Sequence, residues 1–392
     1  MEKYGRYRLR LTAALLVWAL LWPYVIHAGP PGIQTNAEGA ALIDVASGRL
    51  LVSKNGDKPM RIASLTKIMT AIVAIEHGSL SDQVEVSSRA AGKEGSSIYL
   101  RAGEQMSLEN MLYGLMLRSG NDAATAIAEH VGGSLEGFVY LMNEKAANIG
   151  MPNSQFKNPS GLDEEGHYST ANDMARLTAY AMRNPVFRDI VKTKSKSAPN
   201  PNESWDYRWN NKNKMLSIYD GADGVKTGYT KLAKRCLVSS ATRNGQQLAV
   251  VTLNDPDDWV DHTKLLDYGF KYYKQEQLVK KGDKIENMPV AIGRSFVYPL
   301  LEEEQGMIRK EAELLDPASS AYQLGERGTL TLLLGNSRIG SVPLYAENSP
   351  LLAVKEKSAF GYQESETYEA SGFRLWQLRL LEVVRRLFIL QE

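Results

Sequence analysis

The chain has 392 residues, which is too long for one ordinary domain and predicts two or three. Its 46 basic and 45 acidic residues leave a formal net charge of +1, which argues against a nucleic-acid-binding protein held by phosphate contacts. A hydrophobic content of 43% argues against wholesale disorder, and the single cysteine, Cys236, excludes an intramolecular disulfide framework and any multi-cysteine zinc or iron–sulfur site.

Residues 1–28 have the organisation of a secretory signal peptide. Basic residues come first, an almost wholly apolar run covers residues 11–26, and small residues follow at Ala28 and Gly29. We therefore predict cleavage after Ala28. The alternative is a retained membrane anchor, for which the run is short and is broken by Pro23. In both cases the bulk of the chain is expected to be exported.

Between residues 29 and 276 the predicted elements run from strands to helices and back to strands. The predicted strands are residues 40–45 and 50–52 around a Ser-Gly turn, residues 224–226, and residues 236–242 and 246–253 around an Asn-Gly turn. The predicted helices are an apolar, buried-type helix at residues 64–75 and several more between residues 108 and 183. This order predicts an α/β (α+β) catalytic domain, in which an antiparallel sheet takes strands from both ends of the domain and helices, including an all-helical region, flank it.

The composition changes after residue 276. Short β-like runs and turn residues over residues 277–355 predict a small all-β domain without evident chemistry, with a hairpin around residues 335–337. Residues 356–392 are predicted to form a linker and a basic amphipathic helix. Because arginines are spread along that helix, we expect it to lie on a membrane surface as a tether and not to span the bilayer. The alternative is a helix packed on its own protein or on a dimer partner.

Several common catalytic patterns are absent from the sequence. The five histidines do not form a His-Glu-x-x-His zinc site, and neither a Gly-x-Ser-x-Gly elbow nor a phosphate-binding glycine loop occurs. Cys236 lies in a strand-like run and is interpreted as a small core residue. The stretch from Asp163 to His167 is interpreted as structural or as a loop that lines a cleft. No metal and no cofactor are predicted.

Ser64 and Lys67 form a Ser-x-x-Lys pattern at the start of the predicted apolar helix. Three residues apart on a helix, the hydroxyl and the amine share a face, and the free N–H groups of the helix N-terminus stabilise negative charge. A serine becomes nucleophilic when a neighbour accepts its proton. A lysine can do this only when it is neutral, and both burial and a second cation lower its pKa.

Two further patterns follow in order. Ser-x-Asn at residues 119–121 lies between two predicted helical stretches, and Lys-Thr-Gly at residues 226–228 lies on a strand before a hairpin. Each pattern alone also fits a solvated turn or surface charge, and chance copies exist at residues 154–157 (Ser-x-x-Lys) and 53–55 (Ser-x-Asn). The order and the context of the three patterns favour one shared site.

These three patterns, in this order, resemble those of the penicilloyl-serine transferase superfamily. Together with the signal, the small β domain and the amphipathic tail, they resemble the serine-type D-alanyl-D-alanine carboxypeptidases, the low-molecular-weight penicillin-binding proteins, over nearly the whole mature chain. Local stretches at residues 117–124, 158–163 and 169–175 are also similar to that family. Residues 226–235 favour its branch in spore-forming Gram-positive bacteria.

The resemblance implies a catalytic role for three residues. Ser64 would attack the carbonyl of the penultimate D-alanine of a peptidoglycan stem peptide and form an acyl-enzyme. Lys67 would accept the Ser64 proton, and Ser119 would relay a proton to the nitrogen of the leaving D-alanine. Water would then hydrolyse the ester, and β-lactams, which imitate the substrate, would acylate Ser64.

The resemblance also implies how the substrate is held. Asn121 would hold the substrate amide, and Lys226 and Thr227 would bind the terminal carboxylate, with Lys226 also keeping the neighbouring base neutral. Gly228 would let the substrate backbone approach the strand, and the backbone N–H groups of Ser64 and Tyr229 would form the oxyanion hole.

The sequence thus predicts an exported serine D-alanyl-D-alanine carboxypeptidase at the outer face of the cytoplasmic membrane or in the cell wall, where it limits wall cross-linking. One alternative is a β-lactamase, although no clear Glu-x-x-Leu-Asn stretch is present. Another is a non-catalytic penicillin-binding scaffold, against which the complete set of polar residues argues. A transpeptidase that uses a second stem peptide as acceptor stays open.

Overall fold

The computed structural model of the protein describes residues 30–353. The predicted signal peptide (residues 1–28) and the predicted linker and amphipathic helix (residues 356–392) therefore lie outside the described residues. Within the described part, no helix is both long enough and apolar enough to cross a bilayer.

The strands are β1 (Gly39–Asp44), β2 (Leu50–Lys54), β3 (Gln83–Glu85), β4 (Gln105–Ser107), β5 (Ser195–Ala198), β6 (Tyr207–Asn210), β7 (Ala222–Thr230), β8 (Lys234–Arg243), β9 (Gln246–Leu253), β10 (Lys274–Val279), β11 (Val290–Ile292), β12 (Phe296–Leu300), β13 (Ile308–Leu314), β14 (Glu326–Leu334) and β15 (Ser337–Ala346). The α-helices are α1 (Lys67–His77), α2 (Ser88–Ala91), α3 (Leu108–Tyr113), α4 (Asn121–Gly132), α5 (Leu135–Asn148), α6 (Ala171–Ala181), α7 (Pro185–Lys192), α8 (Met215–Ile218), α9 (Asp258–Tyr272) and α10 (Ser320–Gln323). Shorter helical turns are 3₁₀ at Ala63–Thr66, Glu302–Met307 and Pro350–Ala353, and a π turn at Gly114–Arg118.

A five-stranded antiparallel sheet forms the centre of the larger part of the molecule. Its strand order is β2-β1-β9-β8-β7, so strands from both ends of the segment pair at β1 and β9. The predicted sheet with strands from both ends of the domain is therefore confirmed. Both predicted hairpins, β1–β2 and β8–β9, are also present.

Helices cover both faces of this sheet, because β1 and β8 alternate their side chains between two apolar cores. Ala41 and Ile43 point into the larger core with α1 and α6, whereas Ala40 and Leu42 point into a second core with α9. A strand that is buried on both faces has a continuous apolar sequence, and β1 has such a sequence over most of its length.

The predicted helix at residues 64–75 differs from the observed one at its start. Residues 63–66 form a 3₁₀ turn, and the α-helix begins at Lys67 and ends at His77. All residues from Lys67 to Ala74 are buried, as expected for a helix that is apolar around its circumference. Ser64 therefore lies in the tighter turn that leads into the helix.

The C-terminal part of the described chain is built mainly from strands. A four-stranded antiparallel sheet of order β11-β15-β14-β13 packs around its own small core, and β10 pairs with β12. The predicted hairpin around residues 335–337 is present as β14–β15. The predicted domain boundary after residue 276 falls inside β10, and the boundaries stay predictions.

One arginine links the first hairpin to this second part. The Arg49 guanidinium donates to both carboxylate oxygens of Glu304 and to the Pro299 carbonyl oxygen. It also lies 5.4 Å from the ring centroid of Tyr273 and 5.3 Å from that of Tyr298. A half-buried guanidinium held in this way fixes the C-terminal strands against the β1–β2 turn.

Candidate active site

Ser64 lies in the 3₁₀ turn that precedes α1, and Lys67 is the first residue of α1. In a 3₁₀ turn, residues three apart eclipse each other, so the two side chains point in the same direction. Ala63, directly before Ser64, has a positive φ of 47°, a strained conformation for a residue with a side chain. The chain therefore stores local strain at the residue next to the candidate nucleophile.

The Lys67 amine is the centre of the site. Its Nζ lies 3.1 Å from Ser64 Oγ, 2.7 Å from Asn121 Oδ1 and 2.6 Å from the carbonyl oxygen of Ser160. Three oxygens from three separate chain segments thus surround one nitrogen. This geometry fixes the amine within reach of the serine proton.

The same surroundings disfavour the charged form of this amine. Burial, followed by the charges of Lys226 and Lys212, lowers the pKa of Lys67 well below its ordinary value, and Asp122 opposes the shift. A neutral amine has a free lone pair that can accept a proton from Ser64. The sequence analysis predicted that burial and a second cation surround this lysine, and both are present around Lys67.

Ser119 and Asn121 enter the site at the junction between the π turn and α4. Ser119 has a left-handed backbone conformation (φ 68°), and its buried hydroxyl has no hydrogen-bond partner among the described residues. An unpaired buried hydroxyl at a strained residue is typical of functional sites. Asn121 accepts from Lys67 and donates through Nδ2 to the Glu94 carbonyl oxygen at 2.6 Å, so in this structure it anchors the base.

The Lys-Thr-Gly pattern lies on β7, the edge strand of the central sheet. Lys226 is buried, and its Nζ donates to the Thr227 carbonyl oxygen at 2.6 Å. A side-chain carbon on Gly228 would lie 3.2 Å from the backbone nitrogen of Ser64. Glycine therefore allows β7 to pack closely against the 3₁₀ turn at residues 63–66, which we call the nucleophile turn. Tyr229 follows with a side chain that is 64% exposed.

The predicted residues converge on one cleft of about 430 Å³, which we call the reaction cleft. Its walls include Ser64, Ser119, Thr227, Gly228 and Tyr229. The remaining three predicted residues, Lys67, Asn121 and Lys226, are buried and are linked to this cleft by the contacts and charges described above. The structure therefore brings all eight together.

Lys212 is a further basic residue of the reaction cleft, and the sequence analysis missed it. It lies in the segment between β6 and α8, and its Nζ is 3.4 Å from Ser96 Oγ. Burial and the Lys212 charge lower the pKa of Lys226 to about 7. An anionic group placed beside Lys226 would raise that pKa again, so the pocket is suited to bind a carboxylate. In the sequence, Lys212 lies in a polar stretch that also contains Lys214, and no pattern marks it as a residue of the cleft.

The segment at residues 158–161 packs against the nucleophile turn. The Ser160 carbonyl oxygen accepts from Lys67, and Gly161 packs so closely that a side-chain carbon there would lie 1.9 Å from the Ala63 carbonyl oxygen. This stretch carried part of the family resemblance, but no residue in it was assigned a role. A backbone carbonyl has no signature in a sequence.

His167 also supports this turn and is not a metal ligand. Lys157 N donates to His167 Nδ1, so the proton is on Nε2, which donates to Thr66 Oγ1, and this hydroxyl donates to the Ala63 carbonyl oxygen. Burial lowers the pKa of His167 to about 4, which keeps the ring neutral. Across residues 30–353 no group of histidine, cysteine and acidic side chains is arranged to hold a metal.

The chance copies of the patterns lack these surroundings. In the second Ser-x-x-Lys, Ser154 Oγ is bonded to Ser169 Oγ and donates to Asp173 Oδ2, without a contact to Lys157. Cys236 is buried in β8 and its pKa is raised to about 12 by burial, so it is a core thiol that resists ionisation. Both observations agree with the interpretations made from the sequence.

Comparison with known proteins identifies relatives over most of the chain. A family model described as D-alanyl-D-alanine carboxypeptidase matches residues 25–257. The D-alanyl-D-alanine carboxypeptidase DacF of Bacillus subtilis is 35% identical over an alignment of 367 residues that covers 86% of this chain and 94% of the relative. DacC of Escherichia coli is 31% identical over 89% of each chain.

Solved structures show the same similarity. The D-alanyl-D-alanine carboxypeptidase DacD from Francisella tularensis has a TM-score of 0.66 and 28% identity, and the match covers 84% of this chain and 97% of that one. Penicillin binding protein 5 from Haemophilus influenzae has a TM-score of 0.67 and 28% identity, with coverage of 81% and 98%. The S96A mutant of the Streptomyces K15 DD-transpeptidase, at 33% identity and a TM-score of 0.58, covers 61% of this chain.

The packing at Gly161 generates a testable prediction. In Gly161→Ala, the new carbon meets the Ala63 carbonyl oxygen and Thr66 Oγ1, so the nucleophile turn must move. We expect a loss of stability of more than about 3 kcal/mol and slower acylation of Ser64 by penicillin. Denaturant unfolding and the rate of penicillin labelling measure the two effects.

Gly150→Ala is the matched control. Gly150 has a φ of 75°, close to the 81° of Gly161, but a side-chain carbon there would have no atom within 4 Å. It should cost only the backbone strain of about 1–2 kcal/mol and leave acylation unchanged. Equal effects of the two substitutions would contradict the proposed contact with the turn.

Proposed function

The chain belongs to the D-alanyl-D-alanine carboxypeptidase family, which acts on peptidoglycan, and we propose that it performs this reaction through an acyl-enzyme on Ser64. The observation that carries the proposal is the 3.1 Å contact between Lys67 Nζ and Ser64 Oγ in a buried site that lowers the pKa of the amine. A serine beside a neutral base is the arrangement that covalent catalysis of acyl transfer needs.

The reaction proceeds in two steps. Ser64 Oγ attacks the carbonyl carbon of the penultimate D-alanine while the Lys67 amine takes the hydroxyl proton. The C–N bond then breaks, and Ser119 passes a proton to the nitrogen of the departing D-alanine. Water attacks the resulting ester, which regenerates the Ser64 hydroxyl and releases the shortened peptide. The backbone N–H groups of Ser64 and Tyr229 stabilise the oxyanion formed in both steps.

The terminal carboxylate of the substrate pairs with the basic wall of the reaction cleft. Lys226 and Thr227 on β7 hold it, and Lys212 adds positive charge from the opposite segment. The approach of a carboxylate raises the pKa of Lys226 and fixes its charge when substrate is bound. This pairing selects peptides that end in a free carboxylate, and β-lactams carry a carboxylate in the equivalent place.

Hydrolysis is favoured over the alternative functions by the family assignment and by the cleft. A non-catalytic scaffold would not need Lys67 and Asn121, which are buried and hydrogen-bonded to each other. The charge of Lys226 also acts on Lys67. The relatives DacF and DacC, which are called carboxypeptidases, match 86% and 89% of this chain.

The sequences at the two ends of the chain support a proposal for the position of the enzyme in the cell. The substrate of the family is part of the cell wall, and the N-terminal sequence has the organisation of an export signal. We propose that the C-terminal amphipathic helix holds the exported enzyme at the outer face of the cytoplasmic membrane. Its apolar face and its arginines fit the interface of an anionic bilayer.

Replacement of the nucleophile tests the function directly. Ser64→Ala should abolish D-alanine release from a peptide ending in D-Ala-D-Ala and remove the penicillin adduct from the Ser64 peptide in mass spectrometry. Ser154→Ala, in the second Ser-x-x-Lys, should retain both, because its hydroxyl contacts no lysine. An adduct that persists in Ser64→Ala would refute the assignment.

Removal of the Lys212 charge should change the pH dependence of acylation. Lys212 lowers the pKa of both Lys67 and Lys226, so Lys212→Ala raises both. Because Lys67 must be neutral to accept the serine proton, the acidic limb of the acylation rate should move to higher pH. Lys212→Arg should retain the parent profile.

Lys214→Ala, two residues away on the same segment, is the control for this measurement. Its side chain is exposed and does not line the reaction cleft. Superimposable profiles for Lys212→Ala and Lys214→Ala would show that Lys212 does not influence the base.

Truncation tests the membrane proposal separately from catalysis. A chain that ends before Phe373 should no longer sediment with anionic phospholipid vesicles and should hydrolyse soluble substrates at the same rate. In the full-length chain, Arg385→Gln with Arg386→Gln should weaken binding to anionic vesicles while binding to zwitterionic vesicles stays unchanged. Sedimentation of the truncated chain with vesicles would overturn the tether.

A further inference from the structure

A second cleft, which we call the outer cleft, lies beside the reaction cleft. It has a volume of about 330 Å³, and its walls come from the loop before β4 and the segment around β6. Its lining residues are Ser97, Ile98, Tyr99, Arg101, Arg118, Asn200, Glu203, Trp205, Tyr207, Arg208 and Trp209. The two clefts adjoin at two points of the chain, since Ser96 and Ser119 line the reaction cleft while their neighbours Ser97 and Arg118 line the outer one.

Aromatic rings form one wall of the outer cleft. Tyr207 and Trp209 stack with ring centroids 5.6 Å apart, and Trp205 packs edge-on against Tyr207 at 6.4 Å. The inner two rings are buried, but Trp205 is 60% exposed, and Tyr99 on the opposite loop is 83% exposed. Exposed aromatic faces at the mouth of a cleft are unfavourable in water and mark a binding surface.

The two walls are fixed to each other. Buried Glu104 accepts from the Tyr207 hydroxyl and from Asn202 Nδ2 at 3.0 Å each, and from the backbone N–H of Arg101. Arg101 in turn pairs with Glu203 across the mouth at 2.5 Å. A cleft built by buried charge-assisted bonds keeps its shape before a ligand arrives.

Positive charge continues from the reaction cleft into the outer cleft. Burial and then the charge of Arg118 lower the pKa of Lys212, and the charge of Lys212 in turn lowers the pKa of Lys226 and Lys67. In the outer cleft three arginines face a single acidic side chain, that of Glu203, which is paired with Arg101. Within residues 30–353, Arg118 and Arg208 form no ion pair. The outer cleft is therefore suited to an anionic ligand.

We propose that the outer cleft binds the glycan part of a peptidoglycan strand while its stem peptide occupies the reaction cleft. The apolar face of a sugar ring lies against Trp205, and a carboxylate of the attached stem peptide pairs with Arg208 or Arg118. This inference rests on the proposed function, because the glycan reaches the outer cleft only when the attached peptide is the substrate.

The combination of groups points to a sugar with an acidic peptide attached and not to a peptide alone. Flat aromatic faces with polar groups at their edges suit the alternating C–H and hydroxyl surfaces of a pyranose ring. Unpaired guanidinium groups suit a carboxylate. Ser119 and Arg118, which line the reaction cleft and the outer cleft, are adjacent residues, so the two clefts are neighbours.

The experiment compares two soluble substrates of the full chain that differ only in the sugar. One is N-acetylglucosaminyl-N-acetylmuramyl pentapeptide ending in D-Ala-D-Ala, and the other is the pentapeptide of the same sequence with an acetylated N-terminus. Trp205→Ala should lower kcat/KM for the first by about tenfold and for the second by less than about twofold, because one exposed aromatic anchor is lost. Trp205→Phe should restore most of the difference.

Two controls make the comparison specific. Tyr140→Ala removes an equally exposed aromatic ring (64%) that does not line the outer cleft and should affect neither substrate. In Arg208→Gln, kcat/KM for both substrates should fall and depend less on salt, because an ion pair with a peptide carboxylate that both substrates carry is removed. Equal losses on both substrates in Trp205→Ala, or no loss on either, would overturn the proposal.

A binding measurement separates this proposal from the proposed function. The disaccharide without peptide should bind to the wild-type chain in calorimetry and bind more weakly, by about tenfold, to Trp205→Ala. If neither peptide substrate releases D-alanine but the disaccharide binds through Trp205, the proposed reaction fails and the outer cleft stands. If D-alanine is released and the disaccharide does not bind, the outer cleft fails alone.

Discussion

The site depends on a single nitrogen held away from water. Lys67 Nζ contacts oxygens from the nucleophile turn, from α4 and from the loop at residue 160, so each of these segments must be in place for the base to be positioned. Burial of the amine without an acidic partner costs stability if it is charged, and the molecule avoids this cost by lowering the pKa. The feature that makes Lys67 unfavourable as an ordinary lysine makes it suitable as a base.

The fold explains how three distant sequence patterns meet. The nucleophile turn leads into the buried helix α1, Ser119 ends the π turn before α4, and Lys226 lies on the edge strand β7. Gly228 and Gly161 lack side chains where β7 and the loop approach the nucleophile turn. A side-chain carbon would be tight at Gly228, 3.2 Å from the Ser64 nitrogen, and would overlap the Ala63 carbonyl oxygen at Gly161. Strain at Ala63 and Ser119 is maintained because this packing and the hydrogen bond from Thr66 leave the backbone no alternative.

Local chemistry was predictable from the sequence, and long-range packing was not. The Asn-Gly turn between β8 and β9 and the apolar alternation of β1 are determined within a few residues, so the hairpins and the sheet were predicted. The convergence of the eight proposed site residues could be predicted because their spacing carries chemistry and resembles a known family. Lys212 and the Ser160 carbonyl could not, since their roles arise only when remote segments pack together. The start of α1 was wrong by one turn because a 3₁₀ turn and an α-helix share the same apolar pattern.

The protonation state of Lys67 is the most direct test of this account. In protein labelled with ¹³C at the lysine side chains, the Lys67 signal is identified by its loss in Lys67→Arg, and its chemical shift is followed against pH. The account predicts that this amine loses its proton well below the ordinary lysine pKa of 10.5. A Lys67 amine that titrates at or above 10.5 would be charged throughout the working range of the enzyme, and it could not accept the proton of Ser64.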